Sequence, residues 1–104
     1  MPKFMFIYHG GGRPGTPEEG EKVMKAWTDW MAGIGSDLVD GGNPAGLSKT
    51  VSSSGVEDTG GPNPVSGYSL VNAADMDAAI AIAKGCPILD GGEGTVEIAE
   101  AMAM

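Results

Sequence analysis

The chain has 104 residues, 41% of them hydrophobic, with 18 glycines and a formal charge of −8; it is long enough to bury one core and too short for two, so residues 1–104 read as a single domain. The acid excess sets it against phosphate backbones and anionic lipid surfaces, which excludes nucleic acid and membrane as partners. No apolar run approaches the roughly 20 residues of a membrane span, Phe4 to Tyr8 is too short for a signal-peptide core, and the lone cysteine, Cys86, excludes an internal disulfide, so a soluble, cytoplasmic protein is expected.

The first element is Phe4-Met5-Phe6-Ile7-Tyr8, β-rich and bounded by Gly10-Gly11-Gly12, which predicts a strand apolar on both faces. Thr16 then offers a capping hydroxyl, Pro17 suits the first helical position and Glu19 stands three residues after the cap, the pattern of a capping box. The helix that follows carries Val23, Trp27, Trp30, Met31 and Ile34 as one apolar stripe, and Gly35 ends it. Leu38-Val39 begins a second strand, Gly41-Gly42-Asn43-Pro44 breaks it, and Leu47 to Ser53 resumes extended character, predicting a kinked or hairpin-like strand. Ser54 to Pro64 has turn-forming residues and little periodicity and reads as a solvent-facing loop.

A second unit repeats the first. Tyr68-Ser69-Leu70-Val71 predicts a strand, Asn72 or Asp75 a helix cap, Met76, Ala79, Ile80 and Ala83 a helix that Gly85 and Pro87 stop, and Thr95-Val96-Glu97-Ile98 an alternating, half-buried strand. The order βαββαβ implies an α+β, ferredoxin-like fold, a four-stranded antiparallel sheet with two helices on one face. The other sheet face is then bare. On the first strand Phe4, Phe6 and Tyr8 point one way and Met5, Ile7 and His9 the other, so an apolar patch would stand in water unless a second copy covered it. A homodimer through the sheet face is expected.

Trp27-Thr28-Asp29-Trp30, Leu38-Val39-Asp40-Gly41-Gly42-Asn43-Pro44, Val65-Ser66-Gly67-Tyr68-Ser69, Ala83-Lys84-Gly85-Cys86-Pro87 and Gly94-Thr95-Val96-Glu97 together resemble the YCII-related, or DGPF-domain, family across nearly the whole chain. The resemblance implies a dimeric α/β barrel of ferredoxin-like subunits, related in fold to muconolactone isomerases. The Asp-Gly-Pro-Phe signature stands here as Asp58-Thr59-Gly60-Gly61-Pro62-Asn63, lengthened and without phenylalanine, and the first helix lacks the histidine of the His-Asp pair that the resemblance would supply.

Gly10, Gly12 and Gly15 spell GxGxxG between strand and helix, with Asp37 and Asp40 at the distance of a ribose-binding acid. Thr16 and Pro17 start the helix after the third glycine, and the chain is too short for a doubly wound sheet, so the loop reads instead as a carrier of Arg13 over a ligand. One histidine and one cysteine cannot build a three- or four-ligand transition-metal site, and Cys86, behind a helix C-terminus, is poorly placed to ionise.

His9, the single histidine, can exchange protons near neutrality; the plain alternative is a strand-end histidine bonded to a loop or buried at the dimer contact. The functional reading places a small-molecule cleft between sheet and helices, lined by His9, Trp27, Trp30, Asp40 and Tyr68. His9 moves a proton, Asp40 orients it, the aromatics hold an apolar ring and Arg13 pairs with a ligand carboxylate. Isomerisation or proton abstraction beside a carbonyl, with no metal or cofactor, fits these groups. The alternative is a non-catalytic metabolite-binding or protein-interaction module.

Overall fold

The computed structural model describes residues 1–11 and 15–104. Its strands are β1 (Lys3–Gly10), β2 (Leu38–Asp40), β3 (Thr50–Ser52), β4 (Gly55–Glu57), β5 (Val65–Asn72) and β6 (Gly94–Glu100), and its helices are α1 (Pro17–Ile34) and α2 (Met76–Ala83), with short 3-10 turns at Gly35–Asp37 and Pro87–Leu89. The main sheet has the order β2-β5-β1-β6, antiparallel throughout. Strands related by a βαβ unit therefore do not touch; each pair is separated by one strand of the other unit. With two helices against this sheet, the architecture is ferredoxin-like.

Local chemistry fixes the helix ends. Thr16 Oγ1 accepts the Glu19 N–H at 3.1 Å and Glu19 Oε2 accepts the Gly15 N–H at 2.7 Å, so the acid reaches one residue beyond the cap but still satisfies a free donor. Asp75, rather than Asn72, caps α2, its Oδ1 accepting the Ala78 N–H at 2.8 Å. Gly35 ends α1 with φ +68°, a conformation that favours glycine.

The core lies between the helices and one sheet face. Phe4, Phe6 and Tyr8 of β1, Val71 of β5, Ala73, Ala79, Ala83 and Cys86 are buried, and Trp27, Trp30, Ile34, Leu38, Val96 and Ile98 pack against them. Phe6 stacks on Trp30 with centroids 6.4 Å apart, Tyr8 meets Trp27 edge-on at 5.1 Å, and the two indoles meet edge-on at 5.7 Å. The stripe predicted for α1 thus faces the sheet, except that Val23 at its N-terminal end stays exposed.

The middle of the chain departs from the expected strand. Only Leu38–Asp40 joins the main sheet, helped by an isolated bridge from Pro44 to Gly67. Residues 50–57 form a separate two-stranded ladder in which Val51 faces Val56, both exposed. Gly55–Glu57, expected as loop, is its second strand. An ion pair from Lys49 to Asp58 at 3.2 Å and a bond from Thr50 Oγ1 to the Thr59 carbonyl at 2.8 Å close its base.

Candidate functional site

The face of β1 away from the helices carries Met5, Ile7 and His9, all partly buried. Antiparallel register sets Met5 beside Leu70 and Ala99, Ile7 beside Tyr68 and Glu97, and His9 beside Val65 and Thr95, and paired residues share a face. The bulge between Tyr8 and His9 re-aims the end of the strand.

His9 is gripped at both nitrogens. Nε2 lies 2.9 Å from Glu97 Oε1, and Nδ1 lies 3.0 Å from the Asn63 carbonyl and 3.3 Å from that of Pro64. Carbonyls only accept, and an ionised carboxylate only accepts, so the geometry suits an imidazolium donating from both nitrogens. The Glu97 hydrogen bond accordingly raises the His9 pKa above its ordinary value, with smaller support from the two carbonyls, against a modest opposing effect of burial. The His9 side chain is 11% exposed and that of Glu97 67%: the histidine is held, whereas the glutamate stands largely in water.

Asp40 occupies other ground. It pairs with Leu70, which faces Met5, so it lies two strands across and four residues along from His9, on the order of 15 Å away by strand geometry. Its Oδ1 instead accepts the Gly42 N–H at 2.8 Å and shapes the turn after β2. Gly42 has φ +72°, and a Cβ there would overlap the Tyr68 carbonyl, so that turn requires glycine. The carboxylate beside His9 is Glu97, which sequence reasoning did not single out as a site residue. Alternation along β6 gives its face, but only the register of β1 against β6 brings it to His9.

The five residues expected to line one cleft are divided by the sheet. His9 and the exposed Tyr68 are on the open face, whereas Trp27 and Trp30 lie on the helix side against Tyr8 and Phe6. Asp40 sits at the opposite edge. Arg13 lies outside the described residues. Behind the open face, the Tyr8 hydroxyl donates to Ser69 Oγ at 2.8 Å and Ser69 donates to the Gly41 carbonyl at 2.8 Å, tying the turn after β2 to the core. Burial raises the Tyr8 pKa further above neutrality and pushes the Cys86 thiol up to about 11, so both remain protonated and neither is a nucleophile at neutral pH. Among the described residues no group of three His, Cys, Asp or Glu side chains is placed to hold a metal ion, and no helix is long and apolar enough to cross a membrane.

No family model and no curated protein matches the chain. Among solved structures it is similar to the 5-chloro-2-hydroxyhydroquinone dehydrochlorinase of Burkholderia phenoliruptrix AC1100, determined in complex with 2,5-dihydroxybenzoquinone. That likeness has a TM-score of 0.53 at 12% identity and covers 91% of this chain and 90% of that one. At this identity it establishes a shared fold over nearly the full length.

Proposed function

We propose that this chain is a YCII-related protein that binds a small organic molecule on the open sheet face and moves a proton on it without a cofactor. The observation that carries the reading is the His9–Glu97 pair, with Nε2 2.9 Å from the carboxylate, on a partly apolar surface where Ile7 stands between Glu97 and Tyr68. Glu97 takes the orienting role expected of Asp40. Being largely in water, it can swing aside, so that Nε2–H gives its proton to a carbonyl oxygen while the Glu97 carboxylate takes the proton from the adjacent carbon, which balances an enolisation. Tyr68 supplies a second donor, and Arg13 a counter-charge for a ligand carboxylate. A second copy facing the same sheet would exclude water from the pair and turn the exposed face into an enclosed one.

The fold shared with a dehydrochlorinase whose ligand is a dihydroxylated quinone supports a ring-sized, oxygen-rich ligand. 2,5-Dihydroxybenzoquinone is therefore the first probe. Its titration into isotope-labelled protein should shift the amides of Ile7, His9, Tyr68 and Glu97, and His9→Ala should remove those shifts without unfolding the chain. Absence of saturable shifts on β1, β5 and β6 with this probe and with simple enolisable lactones would defeat the proposal.

One observation favours a second reading. Because both ring nitrogens already have partners, His9 also serves as a clasp between the sheet and Asn63-Pro64, which is what a non-catalytic binding module would need. If His9→Ala leaves ligand binding intact, no turnover accompanies it and only the loop loosens, the module reading prevails.

A further inference from the structure

On the helix side of the sheet, away from His9, the C-terminal turns of α1 and α2 converge on a depression of about 280 Å³ lined by Asp29, Trp30, Gly33, Ile34, Ile82 and Gly85. Its floor is fixed. Trp30 stacks on Phe6, and its Nε1–H donates to the Ile82 carbonyl at 3.1 Å, so the indole cannot turn into the depression without losing that bond.

Gly33 keeps the depression open. It lies inside α1 with no positive φ, and a Cβ added there would meet nothing within 4 Å. Glycine is the poorest helix former after proline, so alanine would fit and would favour the helix; neither the backbone nor packing asks for glycine. Gly85 differs, because a Cβ there would press on Trp30 Cδ1 at 3.3 Å. What Gly33 provides is space above the indole.

The electrostatics select a cation. Asp29 is the single charged residue of the lining. Residues of the C-terminal, partially negative turns of both helices line the depression, and neither helix has a basic residue in its last turn, although Lys84 caps α2. Lys25 engages Asp29 Oδ2 at 2.7 Å from an exposed position outside the lining, which leaves Oδ1 for another donor, and Lys84, next to Gly85, is not part of the lining. The chain as a whole carries a charge of −8.

We infer that this depression is a binding site for a small organic cation, an ammonium on a compact apolar or aromatic body. The body covers Trp30, Ile34 and Ile82, while the ammonium sits at Asp29 and the helix ends, its charge attracted also by the indole face. The inference is independent of the His9 site.

Benzylammonium is the probe and benzyl alcohol its uncharged counterpart, each titrated into the full isotope-labelled chain. Benzylammonium should give saturable shifts of the Trp30 indole N–H and of the Gly33 and Gly85 amides, with an affinity about fivefold above that of benzyl alcohol. Asp29→Asn should weaken it about threefold. Gly33→Leu, at a position where a side chain meets open space, should abolish it with the fold retained. Equal binding of benzyl alcohol, no saturable shift from benzylammonium, or undiminished binding by a folded Gly33→Leu protein would overturn the site.

Discussion

The two faces of the main sheet share the same strands and are built by different physics. On the helix side Phe4, Phe6, Tyr8 and Val71 lose nearly all contact with water and interlock with the two tryptophans of α1. On the open side Met5 and Ile7 are only partly covered, Tyr68 is exposed, and the ordered polar feature is the His9–Glu97 pair. One face is closed over by the helices and contributes stability; the other retains open surface and a titratable group. Alternation along β1 makes both from a single stretch of eight residues.

Substitutions on the two faces should therefore have unlike consequences. Phe6→Ala, at a fully buried position under Trp30, should destabilise the chain by about 3–5 kcal/mol in chemical denaturation; a cost below about 1 kcal/mol would mean that the helix layer is not packed as described. Tyr8→Phe keeps the ring against Trp27 and deletes only the hydroxyl that donates to Ser69. A loss of about 1 kcal/mol is expected, because Ser69 still bonds the Gly41 carbonyl.

Ile7→Lys on the open face should leave thermal unfolding of the monomer within about 0.5 kcal/mol of the parent. It should also abolish any self-association through that face, read by sedimentation equilibrium. A monomeric parent at micromolar concentration would remove the facing-sheet dimer from the account.

The pH dependence of stability should also be small. The folded-state pKa of His9 is raised, so the stability it contributes is complete below the ordinary histidine value of about 6.5 and is lost as pH climbs through the raised one. Because Glu97 is mostly in water, the loss should stay below about 1 kcal/mol. It should vanish in His9→Gln when unfolding midpoints are compared across that window.

What could be read from the sequence follows the range of the interactions. The capping of α1 by Thr16, Pro17 and Glu19 and the two-sided character of β1 are local, and the structure carries both. The fate of residues 47–57 is not local: Thr50 and Val51 have strand character in either partner's company, and their partner turned out to be the neighbouring Gly55–Glu57 rather than the main sheet. Tyr68, expected in the cleft with Trp27 and Trp30, alternates with the buried Gly67 and Ser69 and so falls on the open face. The choice between Asp40 and Glu97 as the acid beside His9 depends instead on the register of β1 against β6, a long-range outcome that no motif encodes.

The central claim is that Glu97 holds His9 as a charged proton donor on the open face. Histidine-selective NMR titration tests it with little ambiguity, since the chain contains a single histidine. The account predicts a His9 pKa above the ordinary value and a fall toward that value in Glu97→Gln. A His9 that titrates at or below the ordinary value and is indifferent to Glu97→Gln would contradict it.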